Sequence, residues 1–263
     1  MRLAASNIAW EAAQDEAMYE YLASHGITGL EIAPTRIFPE RPYEQLAGAG
    51  RFRRDLQQYH GLQVVSMQSV WYGRQEKLFG TPEEQQALRR YTEQAVDFAA
   101  ALECPNLVFG CPRNRVRGDA AYEIAVEFFH EIGDYAMAHG TVVAIEANPV
   151  IYGTDFINDT AEAFALVRDA DSAGLGVNLD IGTMVENSES VEALGDAAAI
   201  HHVHLSEPYL AVPQERPLHV QLAHFLQEQR YGGWVSLEMK KPADEGQLQE
   251  ALNYLSEVFG DAV

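Results

Sequence analysis

The chain has 263 residues, of which 47% are hydrophobic and 22% charged, which is enough for a sizeable core and ordinary for a water-soluble protein. Acidic side chains outnumber basic ones by 39 to 18, and the formal net charge is −21. A chain this acidic repels nucleic-acid phosphates and anionic membrane surfaces, so we expect neither nucleic acid nor a membrane as a partner.

Short apolar segments typical of strands recur along the whole chain. Several of them are apolar at consecutive positions, as expected for parallel strands that are covered on both faces. The predicted strands are Leu3–Ala9, Gly29–Ala33, Gln63–Gln68, Asn106–Gly110, Val142–Ala147, Gly176–Asp180, Ile200–Ser206 and Trp234–Met239.

Longer segments with helical periodicity separate these strands. Thr81 and Pro82 form a helix start, with a capping hydroxyl followed by proline in the first turn, while Gly26 and Gly140 suit helix ends. The predicted helices are Glu11–His25, Tyr43–Tyr59, Pro82–Leu102, Ala120–His139, Thr160–Ala170, Val191–Ala198, Leu218–Arg230 and Glu245–Phe259.

Eight strand–helix pairs of about 30 residues each predict an α/β fold, a single (β/α)8 TIM barrel over residues 1–263. The alternative is a doubly wound open sheet, which would normally carry a glycine-rich phosphate turn after its first strand. The corresponding segment from Ser6 to Trp10 contains no glycine. Because no linker or low-complexity tract divides the chain, we expect one domain.

The cysteines and the N-terminus bear on the cellular compartment. Cys104 and Cys111 do not have a metal or redox spacing, and they are interpreted as reduced thiols. The first residues lack the apolar stretch of a signal peptide, and no apolar run approaches the roughly 20 residues of a membrane span. The sequence therefore predicts a cytoplasmic protein.

Four consecutive predicted strands each end in one metal-ligand type of residue. These are Glu146, Asp180, His204 and Glu238. A single acidic residue at a strand end is more often a cap or a hydrogen-bond acceptor, but four neighbouring ones need a common explanation, because buried unpaired charges are costly. One divalent cation supplies it. Three carboxylates and one imidazole suit Mn²⁺, Mg²⁺ or Co²⁺ better than Zn²⁺.

Other residues near the predicted strand ends are candidates for substrate binding. Gln68 and Asn148 suit sugar hydroxyls, and Trp10 suits an apolar sugar face, although aromatic residues there are equally consistent with packing. Arg113 and Arg115 would hold a phosphate or carboxylate, or else pair with acidic loops. His202 is interpreted as a supporting or core histidine. Glu31 would bind substrate or cap the loop after the second strand.

The strand-end residues resemble those of the xylose-isomerase-like superfamily of sugar phosphate isomerases and epimerases, in particular the metal site of tagatose and psicose 3-epimerases. The resemblance covers nearly the full chain and includes the His-x-x-Glu motif formed by His204 and Glu207. Two positions depart from the ketohexose epimerases. Thr183 stands where a substrate-binding histidine is usual, and Leu210 stands where an arginine is usual.

The resemblance implies a metal-dependent isomerase or epimerase that acts on a small carbohydrate, a sugar phosphate or a polyol ketone. Glu146 and Glu238 would be the catalytic bases as well as metal ligands, and Glu207 would contact the substrate. Proton transfer would pass through an enediolate that the metal stabilises. Related barrels often form homodimers, and a homodimer is expected by that analogy.

Three other functions are compatible with parts of this sequence. The first is a dehydratase or lyase on a cyclic polyol ketone, which would share the proton-abstraction step. The second is an apurinic endonuclease, which the nine histidines and the charge of −21 argue against. The third is a non-catalytic barrel that has lost activity, which the substitutions at Thr183 and Leu210 would permit.

Overall fold

Eight parallel strands close into a barrel in the computed structural model, which describes residues 1–260. The strands pair in chain order, and the eighth pairs with the first, so the predicted (β/α)8 barrel is confirmed. The strands are β1 Arg2–Ser6, β2 Gly29–Ile32, β3 Gln63–Met67, β4 Asn106–Phe109, β5 Val142–Glu146, β6 Leu175–Asp180, β7 Ile200–Leu205 and β8 Trp234–Leu237.

Helices surround the barrel on its outside. They are α1 Asp15–Ser24, α2 Pro34–Ile37, α3 Leu46–His60, α4 Pro82–Leu102, α5 Glu123–Ala138, α6 Thr160–Ala170, α7 Ile181–Asn187, α8 Pro217–Glu228 and α9 Glu245–Phe259. Helix α4 begins as predicted, because Thr81 and Glu84 form a reciprocal capping box around Pro82. No helix among residues 1–260 is both long and apolar enough to cross a bilayer.

The apolar core lies between the strands and the helices. On one side of the barrel it is rich in aromatic rings that meet edge to face, with Trp71 against Phe109 and Phe128, and Phe109 against Phe129. Such contacts add to the free energy gained by burying the rings. This packing holds the strands rigidly, so that side chains at their carboxyl ends have fixed positions.

The prediction of a helix over Val191–Ala198 was wrong. The helix that follows β6 begins ten residues earlier, directly at Ile181, while the predicted segment contains two short 3₁₀ turns, Val191–Ala193 and Ala197–Ala199. The physical reason is local. Asp180 ends the strand and its carboxylate also accepts the backbone N–H of Thr183, so the strand passes into the helix without a loop.

The first predicted strand, Leu3–Ala9, was also too long. The extended chain ends at Ser6, and Asn7–Ala9 form a 3₁₀ turn. The side-chain oxygen of Asn7 accepts the backbone N–H of Ala33, so this turn is tied to the end of the second strand. The single-domain interpretation of residues 1–263 stays a prediction, and residues 261–263 lie outside the described residues.

Candidate metal centre

The four residues predicted as metal ligands lie at the carboxyl end of the barrel. Glu146 and Asp180 are the last residues of β5 and β6, His204 is the penultimate residue of β7, and Glu238 directly follows β8. Asp180 on β6 is paired in register with His204 on the neighbouring strand β7. One ligand atom from each of the four residues lies within 4.8 Å of the other three.

His204 lies at the centre of this cluster and is fully buried. Its Nδ1 atom is 3.2 Å from an oxygen of Glu146, 3.2 Å from an oxygen of Glu238 and 4.0 Å from an oxygen of Asp180. The three carboxylates therefore converge on one nitrogen from three different strands. Like charges this close need a compensating cation, and the donor set of oxygens with one imidazole fits a divalent metal.

Neighbouring side chains fix the orientation of the carboxylates. The two oxygens of Glu146 accept hydrogen bonds from Asn148, at 2.9 Å, and from Asn178, at 2.7 Å. Asp180 accepts the hydroxyl of Ser206 as well as the amide of Thr183. Such supporting contacts hold ligands in a binding geometry before any ion arrives. The sequence reasoning did not single out Asn178 or Ser206.

The electrostatic environment changes the pKa values of this cluster. Burial raises the pKa of Asp180 to about 6, and the charge of Glu146 adds to that effect. Burial also raises the pKa of Glu238 to about 7, although His204 acts in the opposite direction. For His204, burial disfavours the charged ring, but the carboxylates of Glu31 and Glu238 outweigh it and raise its pKa well above the ordinary value.

A small cavity of about 160 Å³ opens beside the cluster. Its lining combines three of the four predicted ligands with a few polar and apolar groups: Pro112, Glu146, Asn148, Tyr152, Asp180, Ser206, Glu207, Leu210 and Glu238. Its size is below the roughly 300–1,000 Å³ of pockets for drug-sized ligands. The cavity therefore suits a small polar molecule in contact with the carboxylates.

The loop after β7 shapes one wall of this cavity with unusual backbone angles. The backbone φ values of Tyr209 and Leu210 are 63° and 56°. They lie in the left-handed region that residues other than glycine rarely adopt. The hydroxyl of Tyr152 accepts the backbone N–H of Tyr209 at 2.7 Å and so supports this conformation. Two such residues in succession store strain, which is common where a loop must place a side chain at a site. Here that side chain is Leu210.

The predicted substrate-binding residues divide into two groups. Asn148 and Glu207 line the cavity, although the carboxylate of Glu207 forms a bidentate ion pair with Arg216, at 2.6 and 2.8 Å. Gln68 and Trp10 are buried away from it, where Gln68 donates to Glu31 and Trp10 donates to Asp15. Arg113 is exposed in the loop after β4 and is not part of the cavity lining.

Arg115 is fully buried, and its guanidinium forms hydrogen bonds inside the protein. It donates to the backbone oxygens of Glu146 and Ile157 and to the side-chain oxygen of Asn148, at 3.0, 3.2 and 2.9 Å. Burial lowers its pKa to about 10, so the group is still charged at neutral pH. Arg115 is not in the cavity lining, and both terminal nitrogens of its guanidinium donate to protein oxygens, so we interpret the residue as a support for the loop after β5 rather than as a phosphate-binding group.

Arg115→Met is expected to lower the free energy of unfolding by about 2–4 kcal/mol, because it removes three hydrogen bonds that the buried guanidinium donates inside the protein. Arg113→Met is the matched control in the same loop. As an exposed residue it should change stability by less than about 0.5 kcal/mol. Chemical denaturation of both variants measures the difference. Equal, small effects would mean that the buried guanidinium does not stabilise the loop.

Comparison with known proteins gives a family and a set of structures. The family model described as xylose isomerase-like TIM barrel matches residues 19–258. A search of curated proteins gives no match.

Solved structures share the fold at low sequence identity. A D-psicose 3-epimerase crystallised in the presence of D-fructose has a TM-score of 0.79 and 20% identity, covering 99% of this chain and 100% of its own. A 3-keto-D-glucoside 4-epimerase from E. coli has a TM-score of 0.75 and 19% identity, covering 98% and 99%. An IOLI protein with a bound zinc atom has a TM-score of 0.74 and 15% identity, covering 98% of each chain.

Proposed function

The chain belongs to the xylose isomerase-like TIM barrel family, and from that premise we propose that it is a divalent-metal-dependent isomerase or epimerase of a small sugar or polyol ketone. The observation that carries this proposal is the convergence of Glu146, Asp180, His204 and Glu238 beside a small cavity. Structures of the same fold include a D-psicose 3-epimerase and a 3-keto-D-glucoside 4-epimerase. Mn²⁺, Mg²⁺ or Co²⁺ fits the oxygen-rich donor set.

A divalent cation in this cluster would supply positive charge that stabilises the enediolate of a hydroxyketone. Glu146 and Glu238 flank the nitrogen of His204 from two different strands, so a substrate in the cavity lies within reach of both carboxylates. One carboxylate takes the proton from the carbon beside the carbonyl, and the electron pair of that C–H bond moves into the enediolate. The other glutamate, which takes up a proton from solvent, returns that proton to the opposite face of the same carbon to give the epimer, whereas return of a proton to the adjacent carbon gives the isomer.

Asn148 and Asn178 have a separate role in this chemistry. Their amide groups donate to the two oxygens of Glu146, which fixes the plane of the carboxylate. A base held in one plane presents its free electron pair in a constant direction, which favours transfer of a proton from a substrate bound in one orientation. Gly110 provides the necessary space, because a Cβ atom there would lie 2.8 Å from an oxygen of Glu146.

The charge of the cavity bears on the substrate. Three carboxyl groups and one divalent cation leave no net positive charge, and the nearby carboxylate of Glu207 is neutralised by Arg216. No arginine, lysine or histidine is in the cavity lining formed by the described residues. A phosphate group would therefore face repulsion without a partner, so the proposed substrate is unphosphorylated.

Incubation in D₂O with a panel of ketoses, inososes and ketose phosphates tests the proposal, with deuterium uptake followed by NMR. We expect uptake at a carbon beside the carbonyl in at least one uncharged compound. The phosphorylated form of the same sugar should exchange on the order of 100-fold more slowly, because like-charge contacts cost several kcal/mol. Faster exchange with the phosphate would contradict the unphosphorylated substrate.

The same experiment separates the alternatives. Loss of water from the substrate would identify the dehydratase or lyase that shares the first proton-transfer step. A protein that binds metal but exchanges no proton from any compound of the panel would favour a non-catalytic barrel. A protein that retains no divalent metal after purification and binds none when it is added would contradict the proposed centre itself.

A further inference from the structure

Glu31 is a fully buried carboxylate inside the barrel, on the opposite side of His204 from the cavity. Its Oε2 atom is 2.9 Å from Nε2 of His204, and 3.4 Å from Nε2 of His202. Its Oε1 atom accepts the side-chain amide of Gln68 at 3.0 Å. An ionised group with no exposure needs a reason to be there, because an unpaired buried charge is costly.

The two ring nitrogens of His204 face different surroundings. Nδ1 faces Glu146, Asp180 and Glu238, whereas Nε2 faces Glu31. A neutral imidazole carries one N–H, and a metal ligand needs the free electron pair of the other nitrogen. With the proton on Nε2, the ring donates to Glu31 and presents a free pair at Nδ1. With the proton on Nδ1, the free pair of Nε2 would face a carboxylate at 2.9 Å, which is repulsive.

We propose that Glu31 is a positioning residue that fixes the tautomer and orientation of His204, so that the Nδ1 electron pair faces the metal centre. This inference rests on the metal site of the proposed function. Histidine ligands of metals generally donate their second N–H to a carboxylate, a carbonyl oxygen or water, and loss of that partner weakens metal binding. Glu31 provides that partner from a strand on the other side of the barrel, 173 residues away in the sequence.

Gln68 extends this arrangement by one step. Its amide nitrogen donates to Oε1 of Glu31, at 3.0 Å, and lies 2.6 Å from the hydroxyl oxygen of Ser6. The carboxylate of Glu31 is therefore held at both oxygens, by Gln68 on one side and by His204 on the other. This explains why Gln68 is buried beneath the cluster rather than in the cavity lining.

A second metal ion between Glu31, His202 and His204 is the alternative reading, since their donor atoms also lie within 4.8 Å of one another. Existing hydrogen bonds account for that proximity. Nε2 of His202 is 2.8 Å from the hydroxyl of Ser236, and Nε2 of His204 is at an ordinary hydrogen-bond distance from Glu31. These nitrogens are satisfied without a cation, and their residues are at most 1% exposed.

Metal affinity of the Glu31→Gln variant tests the inference. We expect Co²⁺ and Zn²⁺ to bind about 10–100-fold more weakly than to the wild-type protein. Ser236→Ala is the control, because Ser236 is hydrogen-bonded to His202 and not to His204, and its affinity should stay within about 3-fold of wild type. A folded Glu31→Gln protein with wild-type affinity would overturn the inference.

The tautomer itself is observable in the wild-type protein, whether or not the variant folds. In the Zn²⁺-loaded protein, ¹H–¹⁵N NMR of the imidazole should show the proton of His204 on Nε2 and none on Nδ1. A proton on Nδ1 would overturn the inference while leaving metal binding intact. Wild-type protein that binds no divalent ion would instead remove the proposed function together with this inference, so the two failures are distinguishable.

Discussion

Glu146→Gln and Glu238→Gln are each expected to lose deuterium exchange into the substrate by about 10²–10⁴-fold, the usual contribution of a positioned acid or base. An amide of the same size cannot accept a proton from carbon, although its oxygen can still contact a cation. The measurement is the rate of exchange in D₂O at a metal concentration that saturates each variant. Metal content is determined in parallel, because both residues are also proposed ligands.

Asp180→Asn is the matched control for these two variants. Asp180 belongs to the same cluster, but its oxygens accept the hydroxyl of Ser206 and the amide of Thr183, so no base role is proposed for it. At saturating metal we expect this variant to exchange within about 10-fold of wild type, since only a ligand is weakened. Full exchange by either glutamine variant with the metal bound would remove that glutamate from the catalytic mechanism.

The sequence was sufficient to predict the barrel and the position of the candidate site. Parallel strands place their carboxyl ends at one face, so acidic and histidine residues that end consecutive strands must lie near one another. Glu146, Asp180, His204 and Glu238 follow this rule, and the structure brings their donor atoms together. This proximity could be predicted because it depends on strand position alone and needs no knowledge of side-chain contacts, while the role of the four residues as metal ligands stays a prediction.

Contacts between distant strands could not be predicted in the same way. Glu31 and Gln68 lie near the carboxyl ends of neighbouring strands, where substrate-binding residues are expected, yet both lie beneath the cluster and support His204. Arg113 and Arg115 are two residues apart in one loop, but one is exposed and the other fully buried. Which side of a loop is buried depends on the neighbouring loops, and no local pattern in the sequence records that packing.

The helix after the sixth strand was misplaced for a related reason. The sequence from Val191 to Ala198 is rich in good helix formers, and propensity favoured a helix there. The structure instead begins a helix directly at Ile181, because the carboxylate of Asp180 caps it. A residue that is a candidate metal ligand therefore also ends a strand and starts a helix. Local propensity was overridden by a capping interaction that also fixes the site.

Metal binding should release protons, and the number released should depend on pH. In the metal-free protein, the pKa of Asp180 is raised to about 6 and that of Glu238 to about 7, both mainly by burial. The pKa of His204 is well above its ordinary value, because Glu31 and Glu238 outweigh the effect of burial. A cation replaces a proton on each group that is protonated, so we expect Asp180 and Glu238 together to release nearly two protons at pH 5.5 and almost none at pH 8.

The stability of the metal-free protein should depend on the protonation of the same three groups, Asp180, Glu238 and His204. All three have a folded pKa above the unfolded value, so they stabilise the fold fully at low pH and this stabilisation is lost as pH rises from about 4 through 7 and beyond. Metal affinity instead increases as pH rises, because fewer protons compete with the cation for its ligands. A saturating cation at about 1,000 times its Kd adds about 4 kcal/mol, which raises Tm by about 8–15 °C. At a fixed metal concentration, the rise in Tm caused by the cation should therefore be larger at pH 7.5 than at pH 5.5.

Calorimetry in buffers of different ionisation enthalpy counts the released protons, and thermal melts with and without Mn²⁺ or Co²⁺ measure the stabilisation. Glu186→Gln is a suitable control, since Glu186 lies on α7 close to Asp180 in sequence but outside the cluster, and it should leave both results unchanged. Glu238→Gln should instead remove about one proton from the count below pH 6. Proton release that does not vary between pH 5.5 and 8, or stabilisation that is greatest at the acidic end, would mean that these buried carboxyl groups do not bind the ion.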